Sequence, residues 1–109
     1  MNLLELFNTI AKTNTRPLLA HEIIYYCVDQ FHQENIYILK SQLDEALCKD
    51  IEKKHSFTKN TSSVISALEK AGLLNKHSLI NNEVVEYKGA PSPLVIKLNN
   101  DVIRAFTGK

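Results

Sequence analysis

Apolar residues recur at helical spacing in two stretches near the start of the chain. The first stretch contains the stripe Leu3, Leu6, Phe7 and Ile10. This stripe predicts a helix over residues 3–12, which the polar segment Thr13–Pro17 ends. The second stretch contains the stripe Ile23, Cys27 and Phe31, widened by Ile24 and Val28. It predicts a core helix from about Leu19 to Gln33.

The middle of the chain predicts a short strand, a third helix and a turn. Ile36–Leu39 is a run of strand-favouring residues that is too brief to form a helix. Ser41 followed by Asp44 resembles a capping box, with aspartate in place of the usual glutamate. A third helix is therefore predicted to begin there and to run to about Lys54. The polar segment His55–Asn60 is the predicted turn.

A fourth helix is predicted to follow this turn. Asn60 or Thr61 can cap its start by accepting a hydrogen bond from an otherwise unpaired backbone N–H. Its buried side is supplied by Val64, Ile65, Leu68 and Ala71. Gly72 can adopt the left-handed conformation that ends a helix, so the helix is predicted to stop at that residue.

The last third of the chain predicts strands and a short helix. The predicted strands are Leu79–Ile80, Val84–Tyr87 and Leu94–Leu98. Gly89–Pro93 joins the last two as an exposed loop or wing tip, because each proline lacks an N–H and fixes φ. Asn100 and Asp101 can cap a final helical turn over residues 100–106. Together the elements predict an α+β fold, mostly α, in a single domain of residues 1–109.

Composition narrows the class of protein without changing this picture. A chain of 109 residues with 44% hydrophobic content suits one compact domain. No apolar run approaches the roughly 20 residues that a membrane helix needs, and the start of the chain lacks the features of a signal peptide. A cytoplasmic location is therefore expected. Cys27 and Cys48 lie within predicted helices among apolar residues, which favours buried free thiols over a disulfide.

The order of elements resembles the winged helix-turn-helix fold across residues 18–98. Leu68–Leu74 resembles the "L-E-x-x-G-L-[IL]" ending of the reading helix in winged-helix regulators of the MarR and PadR type. Lys88–Leu98 is similar to the wing and last strand of members that read "G-R-P-x-x-x-Y-x-L". Ala90 stands where arginine often enters the minor groove, and Ile96 replaces the common tyrosine, so minor-groove contact by this wing is not expected.

This resemblance implies a three-helix core with a short strand and a β-hairpin wing, plus extra N-terminal and C-terminal helices. It also implies that the helix of residues 61–72 enters the major groove of double-stranded DNA. The candidate DNA-binding residues are Lys53, Lys54, Lys59, Asn60, Thr61, Ser62, Ser63, Ser66, Lys70 and Lys88. The helix has no arginine, so base recognition is expected to be modest or to depend on DNA shape and a second subunit.

The net charge of the chain does not support DNA binding, but the distribution of its basic residues along the sequence does. The net charge is +1, whereas nucleic-acid-binding domains are often strongly basic. Residues 1–39 carry Lys12 and Arg16 against four acids, and residues 40–76 carry seven lysines against five acids. The lysines around the predicted turn can neutralise phosphates. The acids Asp50 and Glu52 nearby make an ordinary solvated face an equal alternative.

Motifs for catalysis or cofactor binding are not found in the sequence. His21–Tyr25 begins like the zinc protease motif but has tyrosine where the second histidine ligand must stand. The other histidines have no paired cysteine spacing, and none of the three glycines builds a phosphate loop. We therefore expect neither an enzyme, nor a metal site, a cofactor or a small-molecule ligand.

The first helix raises the question of a partner. Its apolar residues Leu3, Leu6, Phe7 and Ile10 either pack on the same domain or pair with a second copy in a homodimer. The leading hypothesis for function is a small DNA-binding transcriptional regulator. The alternatives are a winged-helix module that binds another protein and the DNA-binding part of a replication or partition system.

Overall fold

The computed structural model describes residues 1–108, which form five α-helices and a four-stranded antiparallel sheet. The helices are α1 (Leu3–Thr13), α2 (Pro17–His32), α3 (Lys40–Leu47), α4 (Lys54–Lys70) and α5 (Asn100–Thr107). The strands are β1 (Ile38–Leu39), β2 (Leu74–Ile80), β3 (Glu83–Glu86) and β4 (Leu94–Leu98). A 3-10 helix, Ile51–Lys53, leads into α4. Within residues 1–108, the helices are too short or too polar to cross a bilayer.

The sheet has the strand order β1-β4-β2-β3. β2 pairs with β4 from Leu74 opposite Leu98 to Ser78 opposite Leu94, and β4 also pairs with the two residues of β1. β2 and β3 form a hairpin that turns at Asn81–Asn82, where both residues have positive φ, 54° and 63°. Two successive left-handed residues are characteristic of the type I′ hairpin turn, for which asparagine is well suited.

The connection from β3 to β4 crosses β2, because β3 and β4 lie on opposite sides of that strand. At the crossing, the backbone N–H of Lys88 donates to the Oγ of Ser78 at 2.8 Å, and Ser78 is fully buried. Gly89–Pro93 therefore joins the last two strands as predicted, although the tip of the hairpin is Asn81–Asn82 and not this loop.

The hydrophobic core lies between the helices and one face of the sheet. Its fully buried members include Leu6, Ile10, Ile23, Leu43, Ile65, Leu68, Leu74 and Val102. Leu6 and Ile10 thus pack on their own domain with 0% exposure, which is the first of the two alternatives predicted for the stripe. On α1, Leu3 and Leu4 are the exposed apolar residues.

The boundary between α3 and α4 differs from the prediction. α3 ends at Leu47 instead of near Lys54, and the predicted turn His55–Asn60 is helical. The actual turn is Cys48–Lys53. The N-terminal part of α4 is polar because most of its residues are exposed to solvent. Phe57, one turn before Thr61, is half-buried and lines a surface groove with Leu19 and Leu47. Neither Asn60 nor Thr61 caps a helix, since both lie inside α4.

One side chain, that of Asn99, links the C-terminal end of α4 to the N-terminal end of α5. Gly72 has φ +77° and ends α4 as predicted. Asn99, and not Asn100 or Asp101, caps α5: its Oδ1 accepts from the N–H of Asp101 at 3.0 Å. The Nδ2 of Asn99 donates to the carbonyl of Gly72 at 3.1 Å. This residue therefore satisfies a polar group at the start of α5 and another after α4.

Replacing Asn99 with alanine should lower the free energy of unfolding by about 1–2 kcal/mol, because the variant has neither the cap nor the link to Gly72. Asn99→Asp keeps the acceptor and removes only the donor, so its effect should be smaller. Urea unfolding measures both variants. Asn100→Ala is the control, since Asn100 is exposed in the first turn of α5; an equal decrease there would contradict the assignment.

The two cysteines lie in different environments. Cys27 is 1% exposed in α2, and burial raises the pKa of its thiol to about 12. Cys48 is only half-buried and lies just after α3, where its Sγ donates to the carbonyl of Asp50 at 3.3 Å. The prediction of free thiols is confirmed for both, whereas the prediction of full burial inside a helix holds for Cys27 alone.

Iodoacetamide at about pH 8 should therefore alkylate Cys48 in the folded protein and leave Cys27 unmodified, because alkylation requires an accessible thiolate. Peptide mass spectrometry identifies the labelled residue. Both cysteines should react in about 8 M urea, because a small domain unfolds at that concentration. Equal labelling of the two residues in the folded state would contradict the burial of Cys27.

Candidate functional site

One side of α4 is open to solvent along most of its length. Lys59, Ser63, Ser66 and Lys70 follow one another at spacings of four, three and four residues, which places them in one line on a helix. We define the α4 outer face as His55, Ser56, Lys59, Ser62, Ser63, Ser66 and Lys70. All are exposed except Ser66, which is half-buried. The α4 outer face therefore presents hydroxyl, ammonium and imidazole groups.

Thr61 lies on the opposite, buried side of α4. It is 0% exposed, and its Oγ1 donates to Oδ1 of Asp44 in α3. Thr61, a predicted DNA-binding residue, is therefore not exposed, because residue 61 is one turn before buried Ile65 on the core side of α4.

Asp44 is the centre of a buried polar cluster between α3 and α4. It is 4% exposed and accepts from Thr61 and from Nζ of Lys40. Nζ of Lys40 also donates to the carbonyl of Thr58 in α4, at 3.1 Å. Asp44 is thus not part of a capping box, since its carboxylate faces the next helix. The cluster fixes α3 against α4, and we name it the Asp44 cluster.

A groove of about 700 Å³ runs beside the α4 outer face. Its walls are Thr13, Ser62, Ser63, Ser66, Ala67, Lys70 and Ala71. The Oγ of Ser62 donates to the carbonyl of Thr58 at 2.9 Å, which leaves its lone pairs able to accept. Within residues 1–108, the hydroxyl of Ser63 makes no hydrogen bond. The groove is therefore lined by hydroxyl groups with free capacity to donate or accept.

Other predicted DNA-binding residues lie away from this groove. Lys53 and Asn60 line a smaller groove of about 340 Å³ with Leu19 and Glu22, on the side of α4 that meets α2. Lys54 is exposed in the first turn of α4. The structure thus brings together Lys59, Ser62, Ser63, Ser66 and Lys70, and separates Lys53 and Asn60 from them.

Lys76 in β2 belongs to the same surface and was not among the predicted residues. Its Nζ donates to the Oγ of Ser66 at 2.9 Å and lies 3.8 Å from a carboxylate oxygen of Glu69. It also lies 5.5 Å from the ring centroid of Tyr87, at the cation–π distance. Lys76 therefore offsets the charge of Glu69 and connects α4 to the chain segment that carries exposed Lys88.

The alternation of β2 is the sequence signal that identifies Lys76. It lies two residues after buried Leu74 and two before buried Ser78, so it is on the sheet face that meets α4. The signal was missed because the predicted strand began at Leu79, five residues later than β2 does.

The opposite face of the sheet carries a second polar and aromatic surface. The rings of Tyr37 and His77 meet edge to face with centroids 5.5 Å apart, and Nζ of Lys97 lies 5.7 Å from the centroid of Tyr37. Lys76 borders this surface too, since it lines one groove with Tyr37, His77 and Lys97.

The α4 outer face combines two kinds of polar group in one exposed line. Ammonium groups bind phosphate as point charges, and hydroxyl groups donate to or accept from phosphates and base edges. These groups are therefore suited to a polyanion that also presents hydrogen-bonding edges. Comparisons of the chain with protein-family models, with curated proteins and with solved structures gave no match.

Proposed function

We propose that this chain is a winged helix-turn-helix protein that binds double-stranded DNA and acts as a small transcriptional regulator. The order α2, β1, α3, α4, β2, β3, β4 supports the proposal, as does the adjacency of β1, β4 and β2 in the sheet. In this assignment α3 and α4 are the helix-turn-helix pair, Cys48–Lys53 is the turn, and α4 is the reading helix.

The exposed line of small polar and basic side chains on α4 is the observation that carries the proposal. α4 has 17 residues, a length of about 25 Å, and the major groove is about 12 Å wide and admits a helix. Serines on the α4 outer face allow close approach to base edges. The Asp44 cluster holds α4 in place from behind, so little ordering is needed when DNA binds.

The side chains divide into two roles in this proposal. Lys59 and Lys70, at the two ends of the line, contact phosphates, and Ser62 and Ser63 between them contact base edges. Ser66 accepts from Lys76, so it supports that lysine and has less capacity left for DNA. Serine lacks the bidentate geometry of arginine, and modest discrimination among base pairs is expected.

Protein binding through the same helix is the competing function. A protein interface needs exposed large apolar side chains, which are enriched at interface centres. Within residues 1–108, the exposed large apolar side chains are at the N-terminus, on α1 and α2, within or next to the strands, and at Ile51 in the turn before α4; none is on α4 itself. The α4 outer face is therefore better suited to DNA. A role in replication or partition would use the same DNA contacts.

The proposal includes a homodimer, with a contact surface revised by the structure. Leu4 is 68% exposed on α1 and Leu18 is 79% exposed at the start of α2, whereas Leu6 and Ile10 are buried. Exposed leucines on these two helices are the apolar groups that a second copy would cover. Two copies would place two α4 helices on two half-sites of DNA.

Selection of bound fragments from a pool of random duplex DNA tests the proposed function. The protein should retain duplexes and enrich a short site, and a dimer should enrich two inverted half-sites about 10 base pairs apart. The Ser63→Glu variant, selected in parallel, is the matched comparison and should retain and enrich duplexes much more weakly than wild type. Absence of any protein-dependent retention at low salt would reject DNA binding.

A further inference from the structure

We propose that residues 12–16, which are the last two residues of α1 and the connection to α2 and are together called the loop below, form a second nucleic-acid contact that binds the phosphate backbone beside the α4 outer face. This inference rests on the proposed function. It assigns a role to Lys12 and Arg16, and it gives the N-terminal helix a function in placing them.

Charge is segregated in the first third of the chain. Within residues 1–39, the only lysine or arginine residues are Lys12 and Arg16, and both are in this loop or at its edge. Both are exposed, and neither has a carboxylate partner among residues 1–108. The four acids of the same stretch, Glu5, Glu22, Asp29 and Glu34, lie on α1 and α2 or after α2. The basic charge of this stretch is therefore confined to one place.

The same loop lies against α4. Thr13, the residue after Lys12, lines the groove of about 700 Å³ together with Ser63 and Lys70. The end of α1 and the α4 outer face are thus the two walls of one groove. Lys12 and Arg16 are one and three residues from Thr13 in the sequence, so a duplex whose major groove receives α4 would bring a phosphate strand close to the segment that carries them.

The loop is held in a defined conformation. Asn14 is 8% exposed, its N–H donates to the carbonyl of Ile10 at 3.0 Å, and its Nδ2 donates to Thr13 Oγ1 at 3.1 Å. Pro17 is the first residue of α2 and fixes φ where the loop ends. Because Asn14 is buried, the basic residues on its two sides are displayed at the surface with little backbone freedom to lose on binding.

The chemistry of the loop favours a phosphate backbone. Arginine can donate two parallel hydrogen bonds to one phosphate, and lysine supplies a point charge to another. Lys70 lines the groove itself, and Lys12 and Arg16 flank Thr13, which forms its other wall. A linear polyanion contacts all three cations, whereas a single small anion contacts one wall.

The test compares three proteins: wild type, the double variant Lys12→Gln/Arg16→Gln and the control Arg104→Gln. Fluorescence anisotropy with one labelled duplex measures their affinity between about 50 and 200 mM KCl, roughly the range over which counterion release is measured. Arg104 is an exposed arginine on α5 that lines a groove with Met1 and Asn2, at the other end of α1. Circular dichroism verifies that all three proteins are folded, as expected for exposed substitutions.

Removal of one phosphate-binding side chain should weaken binding about eightfold at 0.1 M salt and reduce the slope of log K against log salt by about 0.9. The double variant should therefore show twice this reduction in slope, and Arg104→Gln should bind like wild type. If wild type binds and the double variant equals Arg104→Gln, the loop assignment is wrong while the proposed function stands. If wild type does not bind duplex DNA, both are wrong.

Discussion

Replacing Asp44 with alanine is expected to lower the free energy of unfolding by about 3–5 kcal/mol. The variant removes the carboxylate that accepts from Lys40 and Thr61, and both partners are nearly buried. The ammonium group of Lys40 would then be left with a backbone carbonyl as its one acceptor in the Asp44 cluster. An uncompensated buried charge is the main cost, because its loss of hydration is no longer offset.

Thermal and urea unfolding measure this effect, and Glu45→Ala is its matched control. Glu45 is the neighbouring acid on α3 but is exposed, so its removal should change stability by no more than about 0.5 kcal/mol. If Asp44→Ala does not fold, the triple variant Lys40→Met/Asp44→Leu/Thr61→Val should restore folding, because it replaces the whole cluster with apolar groups. Equal stability of Asp44→Ala and Glu45→Ala would contradict the role of the cluster.

Ser63→Glu is expected to weaken duplex DNA binding by about tenfold to a hundredfold while leaving stability nearly unchanged. Ser63 is exposed at the middle of the α4 outer face, so a carboxylate there would lie against the phosphates and base edges of the bound groove. Opposed like charges cost several kcal/mol at an interface, whereas an exposed helical substitution costs about 0.5 kcal/mol or less in stability.

Fluorescence anisotropy at fixed salt measures the dissociation constant of this variant, and Asn100→Asp is the control that adds the same charge elsewhere. Asn100 is exposed on α5, away from the groove that Ser63 lines. The control should bind within about twofold of wild type, since distant exposed charges are screened by salt. Wild-type affinity of Ser63→Glu would show that α4 does not meet DNA through this face.

Elements with strong local signals were predicted from the sequence. The apolar stripes of α1 and α2 gave those helices within two residues at each end, and β4 and the left-handed Gly72 were confirmed. These features depend on hydrophobic periodicity or on the backbone freedom of glycine, and both can be recognised from residues that are close together in the sequence.

The start of α4 could not be predicted because its decisive contacts are distant in sequence. Residues 55–60 are nearly all polar, a composition shared by turns and by solvent-facing helix segments. The hydrogen-bond partner of buried Thr61 is Asp44, which is 17 residues earlier, and that pairing forms only when α3 packs on α4. The polar start of β2 was missed for a similar reason, since its partners are in β4.

The candidate site was predicted in part. Lys59, Ser62, Ser63 and Lys70 do share one exposed face, because helical spacing alone relates them. Lys76 and the loop that contains Thr13 come from other elements, and only tertiary packing brings them to α4.

The salt dependence of duplex DNA binding by the wild-type protein tests directly whether the α4 outer face binds DNA. Lys59 and Lys70, the two lysines of the α4 outer face, should each release about 0.9 counterions, which predicts a slope of log K against log salt of about −1.8 or steeper. Contacts by Lys12 and Arg16 would add to that slope. No binding at about 50 mM salt, or a slope near zero, would contradict the account.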